Sequence, residues 1–145
     1  MTREKDLLKR FIRLNLQMKK AVYSSEITSK FKIGRKQLYA LTILHEKGIM
    51  NMTMLANEID VSNQQLTKIV DVLVQKGYIE RAYDMNNRRV VLVELTKEGK
   101  EYVEDMTTTI FTQLEDKGLP LTEEALDVFE SHLNYLEDFV KELLK

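Results

Sequence analysis

The chain has no cysteine and no tryptophan, a single proline (Pro120) and five glycines in 145 residues. Without cysteine there is no disulfide framework, no thiolate nucleophile and no thiol-oxidation switch, which fits a cytoplasmic protein. With so few breakers, long stretches are free to be helical, so a mainly α chain is expected. No apolar run reaches the length of a bilayer span, and the opening MTREKDLLKR lacks the apolar centre of a signal peptide. The two histidines, His45 and His132, fall on separate predicted helices, and HExxH, phosphate-loop and dinucleotide motifs are absent. The acidic residues of the last third show no privileged pair. No enzymatic activity, cofactor or metal is therefore expected. The length suits one domain with a single core.

Net charge is only −1, which by itself argues against a nucleic-acid partner. Its distribution reverses that. Residues 1–90 hold 17 Lys+Arg against 9 Asp+Glu, a net +8, while residues 91–145 hold 5 against 14, a net −9. A basic first part and an acidic last part point to DNA on one side and another role on the other.

The pattern predicts a long helix over residues 4 to about 30, with Leu7, Phe11, Leu14, Met18 and Val22 on one face and Lys5, Lys9, Arg13, Lys19 and Lys20 on the other. Glu4, Asp6 and Glu26 interrupt the basic face, which favours packing or dimer contact over a membrane surface. A second helix is predicted over 35–47, with Leu38, Leu41 and Leu44 inward and Gly48 as its stop. His45 near its end is read as structural or exposed. Asn51 is placed to cap a further helix. Met50, Met52 and Met54 read as gap-filling core rather than an oxidation sensor.

The most patterned stretch runs from Leu55 to Gly99. Ala56, Ile59, Val61, Leu66 and Ile69 are the small or apolar residues needed where two helices cross closely. Asp60 sits at the turn between them, where a left-handed residue is needed, and Ser62 supplies the next N-cap. Leu66, Ile69, Val70 and Leu73 form an apolar stripe, and Gly77 ends the helix. Tyr78-Ile79 begins a strand, residues 84–87 form a turn, and Val91, Val93 and Leu95 alternate on a return strand. Thr96 caps a helix extending to about Lys117. That helix contains a weak run at Thr107-Thr108-Thr109 and is broken by Gly118-Leu119-Pro120. A last helix starts at Thr122, and Leu126, Phe129, Leu133, Leu136, Val140 and Leu143 make a short heptad seam suited to a partner's helices.

The ordered set Gly77-Tyr78-Ile79-Glu80-Arg81, Asp84, Arg88-Arg89 and Val93-x-Leu95-Thr96-x-x-Gly99, with the upstream Leu55-Ala56 turn, resembles the signature of MarR-family transcriptional regulators. The resemblance covers nearly the whole chain. It implies a mainly α fold with a small β-hairpin wing. Residues 34–99 would form a winged helix-turn-helix DNA-binding lobe, and 1–33 with 100–145 a helical dimerisation lobe. One departure is Asn87, which stands where the family usually has Asp two residues before the wing arginine. It can accept a hydrogen bond from Arg89 but cannot form an ion pair with it.

The expected function is a sequence-specific regulator, a repressor that binds a palindromic site on double-stranded DNA as a homodimer. Ser62 would cap the reading helix, and Asn63, Gln64 and Gln65 would read base edges. Thr67 and Lys68 would hold phosphates. Asn87, Arg88 and Arg89 would form the wing tip, with the arginines in the flanking minor groove. Arg81, nearer the wing's base, is assigned a structural role. Leu7, Phe11, Leu14, Phe129, Leu133, Leu136 and Val140 would form the dimer interface. The family resemblance further implies a small anionic or phenolic effector bound between the two lobes, though the sequence does not identify its residues. The rival reading is a winged-helix protein-interaction module without DNA binding. Such a module has no reason to keep Lys68, Arg88 and Arg89 together with polar Asn63-Gln64-Gln65.

Overall fold

A computed structural model describes residues 2–119 and 121–145. The chain divides into two compact units, the first running to Thr108 and the second comprising Thr109–Lys145.

The first unit opens with α1 (Thr2–Val22), none of whose residues is buried. Here the predicted single helix over 4–30 needs correction, because the chain breaks at Tyr23-Ser24 and a separate α2 (Ser25–Phe31) begins. The cause is local. The Ser24 hydroxyl accepts the Ile27 N–H at 3.4 Å, so Ser24 caps a new helix instead of continuing the old one. The break turns Ile27, which is 1 % exposed, into the core. Lys32 ends α2 in the left-handed region at φ 50.

Helix α3 (Arg35–Lys47) follows, with Leu38, Ala40, Leu41 and Leu44 buried as its spacing requires. Gly48 at φ 76 ends it. A two-residue strand β1 (Met50–Asn51) leads into α4 (Met52–Glu58), whose first turn is capped by Asn51 Oδ1 accepting the Met54 N–H at 2.8 Å. After the turn at Asp60 comes α5 (Asn63–Gln75), then β2 (Ile79–Tyr83) and β3 (Val91–Leu95). The hairpin pairs Ile79 with Leu95 and Tyr83 with Val91, antiparallel.

Two strands are predicted from the sequence; the sheet has three, in the order β1-β3-β2. Met50 pairs with Val93, and both are buried. A two-residue strand carries no alternation to read, so only the structure shows it. The methionine trio also separates: Met50 is core, Met52 is half-buried and Met54 is 53 % exposed.

The core gathers Leu38, Leu41, Leu55, Leu66, Val70, Leu73, Ile79 and Val93, each essentially excluded from water. Each such side chain contributes about 1.5–3 kcal/mol by burial. Helix α6 (Lys97–Asp116) starts beside the turn that follows α5. Thr96 makes that join, its hydroxyl donating to the Gly77 carbonyl at 2.6 Å and accepting the Gly99 N–H at 3.0 Å. Gly99 is buried, and a Cβ there would stand 2.1 Å from the Tyr78 carbonyl oxygen. The three threonines leave α6 unbroken, and Thr107 returns its hydroxyl to the Val103 carbonyl at 2.9 Å.

In the second unit Gly118 takes φ 74; Pro120, the last member of the expected breaker, lies outside the described residues. Helix α7 (Glu123–Leu143) starts at Thr122, whose hydroxyl accepts the Ala125 N–H at 3.2 Å. No residue of α7 is buried, and Phe129 of the heptad seam is 60 % exposed. Phe111, Leu114, Leu119, Leu126 and Phe129 line an apolar cleft in this unit. Among the described residues no helix is long and apolar enough to cross a membrane.

Candidate nucleic-acid interface

Helices α4 and α5 are joined by a tight turn. Asp60 takes φ 54, and the Val61 N–H reaches the Ala56 carbonyl at 3.0 Å. A short polar side chain tolerates that conformation better than a bulky one, as the sequence reading expects. Ala56 is 2 % exposed and Leu66 fully buried, so the two helices meet through a small residue and a large one.

Ser62 and Gln65 hold one another. The Ser62 hydroxyl accepts the Gln65 N–H at 3.1 Å, and Gln65 Oε1 accepts the Ser62 N–H at 3.1 Å. This reciprocal box satisfies two orphan donors at the start of α5 and fixes where the helix begins. Gln65, expected among the readers, thus has its oxygen engaged in the cap. Thr67 is likewise occupied, donating to the Asn63 carbonyl at 3.0 Å. Asn63, Gln64 and Lys68 are exposed and have no side-chain partner among the described residues. Gln64 and Lys68 lie one turn apart and so share a face of α5.

The wing is closed by its own backbone. The Asp84 N–H donates to the Val90 carbonyl at 3.2 Å, and the Val90 N–H to the Asn87 carbonyl at 2.9 Å. Asp84 Oδ1 accepts the Asn86 N–H at 2.8 Å. Asn87 Oδ1 does accept from Arg89, but from its backbone N–H at 3.1 Å rather than from the guanidinium. A short amide side chain reaches the backbone two residues on more easily than the end of a long one. Arg88 and Arg89 are both exposed. Arg88 lines a shallow concavity with Tyr83, Asp84 and Met85, while Arg89 lines another with Asn51, Met52, Thr53, Val90 and Val91. The two arginines thus line separate concavities.

Several contacts that set this geometry are not visible in the sequence. Arg81 Nη2 donates to Asp71 Oδ1, tying β2 to α5. Lys36 Nζ donates to the Ile59 carbonyl at 3.0 Å and Lys76 Nζ to the Lys32 carbonyl at 2.6 Å. The Tyr102 hydroxyl donates to the Phe31 carbonyl at 2.5 Å, and its ring lies 4.3 Å from that of Tyr78 and 5.4 Å from that of Phe31. Burial, with Tyr78 adding to it, pushes the Tyr102 phenol up to about 12. Burial and the neighbouring Tyr39 raise Tyr23 to about 12 as well. Both histidines have partners: His45 Nε2 lies 2.9 Å from Glu104 Oε1, and His132 Nδ1 donates to the Val128 carbonyl at 2.6 Å. No cluster able to hold a metal ion occurs among the described residues.

A capped helix presented from a crossing pair, flanked by a hairpin with basic side chains at its tip, defines a winged helix-turn-helix protein. The chain belongs to the MarR family, whose sequence profile matches residues 33–91. It is 32 % identical over 109 residues to the HTH-type transcriptional regulator YcgE of Bacillus subtilis, spanning 74 % of this chain and 70 % of that protein. The fold of a MarR family protein from Bacillus stearothermophilus superposes with a TM-score of 0.74 at 25 % identity, covering 97 % of this chain and 95 % of that one. Reduced AbfR, solved bound to DNA, shares the fold over both whole chains with a TM-score of 0.64 at 22 % identity. The protein is accordingly a transcriptional regulator of a DNA-binding family and not an enzyme.

Proposed function

We propose that the protein is a repressor that binds a palindromic DNA operator as a homodimer and is released by a small-molecule effector. The observation that carries this reading is the face of α5. Asn63, Gln64 and Lys68 stand exposed and unpartnered on a helix whose start is fixed by the Ser62–Gln65 box. Amides at the N-terminal turn suit base edges, and the lysine a phosphate. Arg88 and Arg89 then reach the flanking minor groove from the wing, which Asn87 helps to shape. Residues 34–99 form the DNA lobe in this reading.

The dimer would be held by residues of 1–33 and 100–145. Leu7, Leu14, Phe129 and Val140 are exposed, with Phe11, Leu133 and Leu136 half-buried beside them. Apolar side chains so placed have surface to bury in a second copy. The binding of DNA by a relative of the same fold supports the choice of partner. The effector rests on family membership, which implies a small anionic or phenolic compound.

The test is a DNA titration of the intact protein beside light scattering. Lys68→Ala should weaken binding and lower its salt dependence. Phe129→Glu should convert the dimer to a monomer and weaken binding with it. A wild-type monomer, or affinity indifferent to Lys68, would refute the reading.

A further inference from the structure

The wing tip carries one side chain that neither the core nor the proposed phosphate contacts employ. Met85 is 97 % exposed, so burial within its own chain does not account for its placement. The turn around it is already closed by hydrogen bonds of Asp84, Asn86, Asn87 and Val90, none of which involves the Met85 side chain. Asp84 and Asn87 each turn Oδ1 to the backbone, and Met85 lies beside Arg88. Tyr83, the last residue of β2, is 65 % exposed, and Tyr83, Met85 and Arg88 border one concavity.

A thioether and a phenol ring next to a guanidinium match the make-up of a minor groove. Its floor offers acceptor atoms to the arginine, while its walls are largely deoxyribose C–H surface, with the ring O4′ as the main polar atom. Apolar side chains used in that groove include methionine. Its unbranched thioether adapts to irregular contact surfaces.

We propose that Met85, backed by Tyr83, packs against the deoxyribose walls of the minor groove that Arg88 enters, so that the wing senses groove width as well as charge. The inference rests on the DNA-binding reading above. An apolar contact of this kind releases no counterions. Its loss should lower affinity without changing the salt slope, whereas loss of an arginine lowers both.

The experiment is an anisotropy titration of the full-length protein against its selected duplex over a series of salt concentrations. Met85→Ala and Met85→Gln should each weaken binding about tenfold, as expected for partial burial of a methionine. Both should leave the salt slope unchanged and shrink the preference for A·T-rich flanks. Met85→Leu should bind close to wild type. Because the side chain is exposed, the variants should melt with the wild type, which separates lost contact from lost fold. If Met85→Ala binds like wild type while Arg88→Ala is weakened, the inference is wrong and the DNA reading stands. A lowered slope in Met85→Ala would mean lost phosphate contacts and would also overturn it. If the wild type binds no duplex, the DNA reading falls and takes the inference with it. In that case an apolar protein partner is the better occupant of the tip.

Discussion

Arg81, on the first strand of the wing, donates to Asp71, on the helix that carries the exposed amides. The pair is the one direct side-chain polar link between α5 and the hairpin among the described residues, and both side chains are partly exposed. An exposed pair adds little to stability, about 0–1 kcal/mol, so its value lies in holding the wing at a set distance from α5.

Breaking it should therefore show in binding before it shows in melting. Arg81→Ala and Asp71→Ala should each lower DNA affinity roughly two- to fivefold, the equivalent of about 0.4–1 kcal/mol. The double variant should be no worse than the worse single one, because the second substitution has no partner left to remove. A double-mutant cycle of anisotropy titrations measures this. Additive losses would mean that the two residues act separately on DNA.

Capping and reading should separate along α5. Ser62→Ala removes the side-chain acceptor of the box and should cost about 1 kcal/mol in urea denaturation. Gln64→Ala should leave stability within about 0.5 kcal/mol and relax the base preference of bound sequences. Unchanged preference in Gln64→Ala would move the reading role to Asn63.

Gly99 should tolerate no side chain. A Cβ placed 2.1 Å from the Tyr78 carbonyl forces the start of α6 away from the hairpin. Gly99→Ala should destabilise the fold by about 1–3 kcal/mol, despite alanine's better helix propensity. Equilibrium denaturation of the two proteins checks it. A stabilised variant would show that this join is looser than the geometry indicates.

Alkaline pH should act through Tyr102 and Tyr23. Both phenols are held above their ordinary value of 10.0, at about 12 in the folded chain. Below pH 10 both folded and unfolded states keep these protons. Between about pH 10 and 12 the unfolded state loses them first, so stability falls as pH rises through that window. Thermal melts across it should show a shallower fall in Tyr102→Phe than in wild type. Tyr102→Phe should also lose about 1 kcal/mol at neutral pH with the bond to the Phe31 carbonyl.

What could be read beforehand was local chemistry. Asp60 in its left-handed turn, the caps at Asn51, Ser62, Thr96 and Thr122 and the stops at Gly48 and Gly77 each depend on residues within a few positions of one another. The leucine stripe of α3 is periodic for the same reason. The break at Ser24 escaped because no glycine or proline lies between Val22 and Ile27 to mark it, and a serine cap competes silently with a continuing helix. β1 escaped because two residues have no period. The Tyr102–Phe31 bond spans 71 positions and the Arg81–Asp71 pair joins two elements, and neither follows any spacing rule. At the site itself, the residue types of α5 and the wing were legible. Which of them are free was not, because the engagement of Gln65, Thr67 and Asn87 by nearby backbone is decided by geometry.

The most direct measurement is selection of bound sequences from a random duplex library at near-physiological salt. A symmetric dimer with two α5 helices in successive major grooves predicts enrichment of an inverted repeat, its half-sites about one helical turn apart and flanked by A·T-rich steps. Recovery of no common sequence, with only weak salt-sensitive binding, would contradict it.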